Sequence, residues 1–139
     1  MKIKEIQEEI VDEFSMFDDW MERYEYIIEL GKKLPLIAEK YKTDNNLIKG
    51  CQSKVWLQGE QSDDKVIFTA DSDAILTKGI IAILIRVFSN QTPADIIEAD
   101  MSFIDEIGLK EHLSPTRANG LVSMIKNIKM YAIAFDAKK

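Results

Sequence analysis

The sequence predicts an α+β fold in which a small antiparallel β-sheet packs against helices, and three observations predict it. Near the amino terminus Ile3, Ile6, Ile10, Phe14 and Phe17 recur at helical spacing with Glu and Lys between them. Residues 54–60 and 65–70 carry strand-forming side chains on either side of a turn, Gln61-Ser62-Asp63-Asp64. Residues 75–89, ILTKGIIAILIRVFS, are apolar nearly all round, the pattern of a buried central helix.

Taken in order, the elements justify themselves locally. Asp18 or Asp19 can cap a second helix whose apolar face holds Trp20, Tyr24, Ile27 and Ile28. Gly31 is placed to end that helix, with Pro35 beyond it. One or two turns fit residues 36–41. Residues 42–53 are the most loop-like stretch, because Thr43, Asp44, Asn45 and Asn46 hydrogen-bond nearby backbone and Gly50 admits angles closed to other residues. Both faces of the hairpin are partly apolar, so helices should cover one side. Asp71, Ser72 and Asp73 offer an N-cap to the central helix. Thr92-Pro93-Ala94-Asp95 and Ser102-Phe103-Ile104-Asp105 read as further helix starts. Ser114-Pro115 opens the last helix, with core positions at Ala118, Leu121, Val122, Ile125, Ile128, Ala132 and Phe135. Gly120 inside that helix costs about 1 kcal/mol against alanine, so something should pack close there.

The 139 residues fit a single domain, 1–139, able to fold without disulfide or metal. A net charge of −6 argues against nucleic acid as the partner, since a phosphate-binding surface needs clustered Lys and Arg. The longest clean apolar run, residues 79–85, is far shorter than the ~20 residues that span a bilayer, so no membrane partner is expected. The amino-terminal segment resembles neither a signal nor a transit peptide, and the expected location is the cytoplasm. There is one cysteine, Cys51, and one histidine, His112. That excludes an internal disulfide and a CxxC pair, and leaves too few ligands for a zinc or cluster site. No resident metal or cofactor is expected.

Chemistry therefore concentrates on Cys51. A free cysteine is commonly a small buried hydrophobe, yet Lys49-Gly50-Cys51-Gln52-Ser53 makes a poor core segment. Spacing alone leaves packing and reactivity both open.

The residues are also recognisable. Lys49-Gly50-Cys51-Gln52-Ser53-Lys54-Val55-Trp56-Leu57 resembles the active-site segment of the SufE family, sulfur acceptors that work with cysteine desulfurases. Three further blocks resemble the family in the same order. The first is Trp20 and Tyr24 followed by Leu30-Gly31-Lys32-Lys33-Leu34-Pro35. The second is Ala70-Asp71-Ser72-Asp73-Ala74 with Lys78-Gly79-Ile80-Ile81-Ala82. The third is Ile107-Gly108-Leu109, then His112-Leu113-Ser114-Pro115-Thr116-Arg117, then Asn119-Gly120-Leu121. The resemblance implies a fold shared with IscU-like scaffolds and a thiolate at Cys51 that accepts sulfane sulfur from a pyridoxal-phosphate-dependent desulfurase. It implies stimulation of that enzyme and delivery of sulfur to an iron–sulfur cluster scaffold. Gly50, Gln52, Ser53, Asp73 and Arg117 are then candidates for contact with the desulfurase. Nearby Lys49, Lys54 or Arg117 could lower the thiol pKa, or the partner's surface could do so on docking.

Two rival readings remain at this level. Cys51 with His112 could make a stand-alone hydrolase or transferase, although a lone His before Ser114-Pro115 is more commonly a packing residue. Alternatively, Cys51 only packs and the chain is an interaction module. Asp71 and Asp73 are most simply helix caps, and Arg117 a surface ion pair.

Overall fold

A computed structural model describes residues 2–138. Within them seven α-helices, two 3₁₀ turns and one hairpin follow each other in the predicted order. Helix α1 (Ile3–Ser15) and helix α2 (Trp20–Gly31) lead, and Asp19 accepts from the backbone N–H of Glu22 at 2.9 Å to cap the second. Residues 36–41 yield only a single 3₁₀ turn, Glu39–Tyr41, followed by another at Asp44–Asn46.

Strands β1 (Val55–Ser62) and β2 (Lys65–Ser72) pair antiparallel, from Val55 opposite Ser72 to Ser62 opposite Lys65. The reversal rests on Asp63 at φ 56°, a left-handed angle that Asp tolerates better than most residues. Both edges of this two-stranded sheet are partly covered. Ile37 donates to Ala70 O and Ala70 to Pro35 O on one side, and Ile48 donates to Val55 O on the other. Such cover shortens the template for edge-to-edge association.

Helix α3 (Ile75–Phe88) is the centre of the core, with eleven of its 14 residues buried. It packs against α1, α2, β2 and the long terminal helix. Arg86, near its end, forks onto Glu13 and also reaches Glu9, tying α3 to α1. Short helices α4 (Pro93–Glu98), α5 (Phe103–Glu106) and α6 (Leu109–His112) lead into α7 (Pro115–Asp136). Thr92 and Ser114 cap α4 and α7 as the sequence suggests.

Three local expectations are corrected and one is refined. No side chain of Asp71, Ser72 or Asp73 caps α3, because β2 runs on through Ser72 and the helix starts after Ala74. The Asp71 carboxylate instead pairs with Lys42 and Lys78. Ser102 is itself in helical conformation and makes no capping bond. Helix α2 does end at Gly31, but without left-handed geometry, since Lys32 after it is right-handed. Gly31 stands against the backbone of Gly79, where an added Cβ would lie 2.9 Å from the amide nitrogen. In α7 Val122 is 51% exposed and Met124 takes the buried position, one turn beyond Leu121.

Candidate functional site

The loop carrying Cys51 is held at both ends. At its start Ile48 N–H donates to Val55 O at 2.8 Å. At its end Lys54 N–H donates to the Asp73 carboxylate at 3.0 Å, and Asp73 N–H donates back to Lys54 O at 3.2 Å. Asp73 is thus a clamp on the loop, not a helix cap.

Two glycines let the loop settle on α7. Gly50 has φ 92°, and a Cβ there would stand 2.5 Å from Ser123 Oγ. Cys51 then falls onto Gly120, whose missing side chain lets the sulfur down onto the helix backbone. The Cys51 thiol donates to Gly120 O at 3.6 Å, and a Cβ at 120 would meet Sγ at 3.4 Å. The close neighbour anticipated for Gly120 is therefore the thiol itself.

Beside the sulfur is a cavity of about 300 Å³. The loop contributes Cys51, Gln52 and Ser53 to its wall, and α3 contributes Thr77 and Ile80. From α7 come Thr116, Arg117, Gly120 and Met124. Cys51 is half-buried, and burial pushes its thiol pKa up. The contact with Gly120 O works in the same sense, because only the protonated thiol can donate to a carbonyl. The expectation that Lys49, Lys54 or Arg117 lowers this pKa is corrected: burial of the thiol pushes it up instead. The Arg117 guanidinium leans toward the Tyr24 hydroxyl, 3.5 Å away.

Of the residues singled out in the sequence, Cys51, Gln52, Ser53 and Arg117 share the cavity, while Gly50 and Asp73 shape and fasten its loop. His112 goes elsewhere. Its ring stacks on Trp20 at 4.2 Å between centroids, its Nδ1 lies 2.9 Å from Gly108 O, and it does not line the cavity. Sequence reasoning missed Thr77, Ile80, Thr116 and Met124. The signal available was weak: Thr77 and Ile80 are one turn apart in α3, and Thr77 is the sole hydroxyl in that apolar helix. Three larger hollows among the described residues, of about 510, 530 and 480 Å³, lie away from the thiol and are lined by neither cysteine nor histidine. Among the described residues no group of three His, Cys, Asp or Glu side chains is placed to hold a metal ion. Nor is any helix among them long and apolar enough to cross a membrane.

A family model described as SufE, Fe-S metabolism associated domain, matches residues 8–132. The chain belongs to the SufE family. SufE-like relatives agree over nearly the whole length. An uncharacterized SufE-like protein of Rhizobium meliloti is 42% identical over 130 residues, covering 90% of this chain and 93% of the relative. One from Synechocystis is 39% identical over 127 residues, covering 91% of this chain and 80% of the relative. The solution structure of a hypothetical protein from Thermus thermophilus superposes with a TM-score of 0.77 over 93% of this chain and 94% of that one. At 17% identity that likeness speaks for the fold alone. Membership of the SufE family gives the chain a role in iron–sulfur metabolism.

Proposed function

We propose that this chain, acting as a single domain, takes sulfur from a pyridoxal-phosphate-dependent cysteine desulfurase as a persulfide on Cys51. It stimulates that enzyme by accepting its sulfur and passes the sulfur on to an iron–sulfur cluster scaffold. The observation that carries this reading is the seat of the chain's single thiol. It is a lone cysteine on a glycine-shaped loop, half-buried over Gly120, with open space beside the sulfur.

The transfer is an exchange with no net oxidation. The Cys51 thiolate attacks the outer sulfur of the desulfurase persulfide. A new S–S bond forms on Cys51, the old one breaks, and the desulfurase cysteine leaves as thiolate. Only the thiolate attacks, whereas burial keeps the resting thiol protonated. Docking must therefore lift the loop or supply a base, which keeps the free carrier quiet and confines reaction to the encounter. Contact of the desulfurase with Gly50, Gln52, Ser53, Asp73 and Arg117 would act directly on the loop and its clamp.

The test is intact mass after incubation with a cysteine desulfurase, pyridoxal phosphate and cysteine. The expected result is a gain of about 32 Da, one sulfur atom, reversed by a thiol reductant and absent in Cys51→Ser. Absence of the gain with several desulfurases would overturn the proposal in favour of a hydrolase or an interaction module.

A further inference from the structure

The cavity beside Cys51 contains a polar group that the protein itself leaves unused. Thr77 is only 5% exposed and lines this cavity from α3. A buried helical threonine commonly turns its hydroxyl back to a carbonyl of the preceding turn, yet the Thr77 hydroxyl makes no hydrogen bond among the described residues. No fully enclosed polar side-chain atom among those residues lacks a partner. The Thr77 hydroxyl therefore touches open space, and Thr77 lines the same cavity as Cys51.

Accepting a sulfur atom would lengthen the Cys51 side chain by one S–S bond of about 2.05 Å. The cavity, about 300 Å³, has room for it. The modification also changes what the site must satisfy. Sγ no longer carries a hydrogen, so its bond to Gly120 O is lost. A persulfide is a stronger acid than a thiol, so the outer sulfur gives up its proton at lower pH than the thiol does. A desolvated anion needs donors. The cavity wall has no carboxylate, and its charged member is the exposed Arg117. The buried donor within it is Thr77.

We propose that Thr77 holds the persulfide: its hydroxyl donates a hydrogen bond to the outer sulfur on Cys51, in a place vacant while the thiol is unmodified. This assignment rests on the reading of Cys51 as a sulfur acceptor and names the group that stabilises the accepted sulfur.

The experiment loads Cys51 without any desulfurase, so its outcome is independent of whether that partner has been identified. Inorganic polysulfide serves as the donor: the Cys51 thiolate attacks a sulfane sulfur, forms the S–S bond and expels a polysulfide shorter by one sulfur. Alkylation of the persulfide is then followed against pH by intact mass in wild type, Thr77→Val and Thr77→Ser. Removing a donor from an anion raises its pKa, so in Thr77→Val the midpoint is expected to rise by about one pH unit. Thr77→Ser, which keeps the hydroxyl, is expected to stay with wild type. The unmodified thiol is bonded to Gly120 O, so its own alkylation profile is expected to be the same in all three proteins. A Thr77→Val persulfide that titrates as wild type would overturn the proposal, as would an equal shift in the Val and Ser variants or in the unmodified thiol. Should the Val variant fail to fold, Thr77→Ala gives the same comparison.

Discussion

Gly50 and Gly120 are glycines for different reasons, and the difference gives each a distinct mutational signature. At Gly50 both backbone and space forbid a side chain, because φ is 92° and Ser123 Oγ lies 2.5 Å from where a Cβ would go. At Gly120 the backbone is ordinary helix, and an added Cβ would touch Cys51 Sγ at 3.4 Å, a contact that slight movement relieves. Gly50→Ala is therefore expected to unseat the loop while leaving the fold intact. The left-handed angle alone costs an alanine ~1–2 kcal/mol, so iodoacetamide should modify Cys51 about tenfold faster than in wild type. An unchanged rate would mean that the loop is not held down by this packing. The same measurement reads the thiol's acidity. Burial raises its pKa, so the native alkylation profile should have its midpoint above that of the denatured chain. The linked contribution to stability is then fully present below the denatured chain's thiol pKa and is lost as pH rises through the native value.

At the scale of elements, helix ends were legible wherever the capping partner is local. Asp19, Thr92 and Ser114 each accept from an N–H three residues on, as the sequence pattern implies. The pattern failed at Asp71 and Asp73 because their carboxylates are engaged elsewhere: Asp71 by Lys42, Lys78 and the Ser72 N–H, Asp73 by the Lys54 backbone. At Gly31 the end of α2 was legible, but the reason for the glycine was not. Its purpose is the crossing of α2 on α3, a contact between segments that spacing cannot connect. That crossing has a sharp consequence. A Cβ at Gly79 would stand 2.2 Å from the Ile27 carbonyl oxygen and 2.6 Å from Ile27 Cγ2. Backbone offers little relief, and overpacking of this kind costs about 1–3 kcal/mol or more. Gly79→Ala is expected at the upper end of that range, measured by urea unfolding. A variant as stable as wild type would show that the two helices can separate freely.

Over the whole molecule, the site is assembled from three distant stretches, the loop at Cys51, the face of α3 at Thr77 and the first turns of α7. The sequence exposed the loop through its turn-forming residues and its lone thiol. It pointed to Gly120 through the cost of glycine in a helix. It could not say that one lands on the other, nor that Thr77 faces the same space, because helical periodicity identifies a buried face without identifying what covers it. His112 illustrates the converse. A single cysteine and a single histidine invite pairing, but the fold commits the imidazole to Trp20 and Gly108 O. A carrier has no use for it at the sulfur, so His112→Ala is expected to accept sulfur from the desulfurase at the wild-type rate, followed by intact mass. Losing the stack on Trp20 should lower stability by about 0.5–1.5 kcal/mol, read from thermal unfolding of the same samples. The two readouts separate the alternatives, since a Cys–His enzyme requires the imidazole for reaction and a packing residue serves the fold alone. Sulfur acceptance abolished with unfolding unchanged would restore His112 to the chemistry and overturn its assignment to packing.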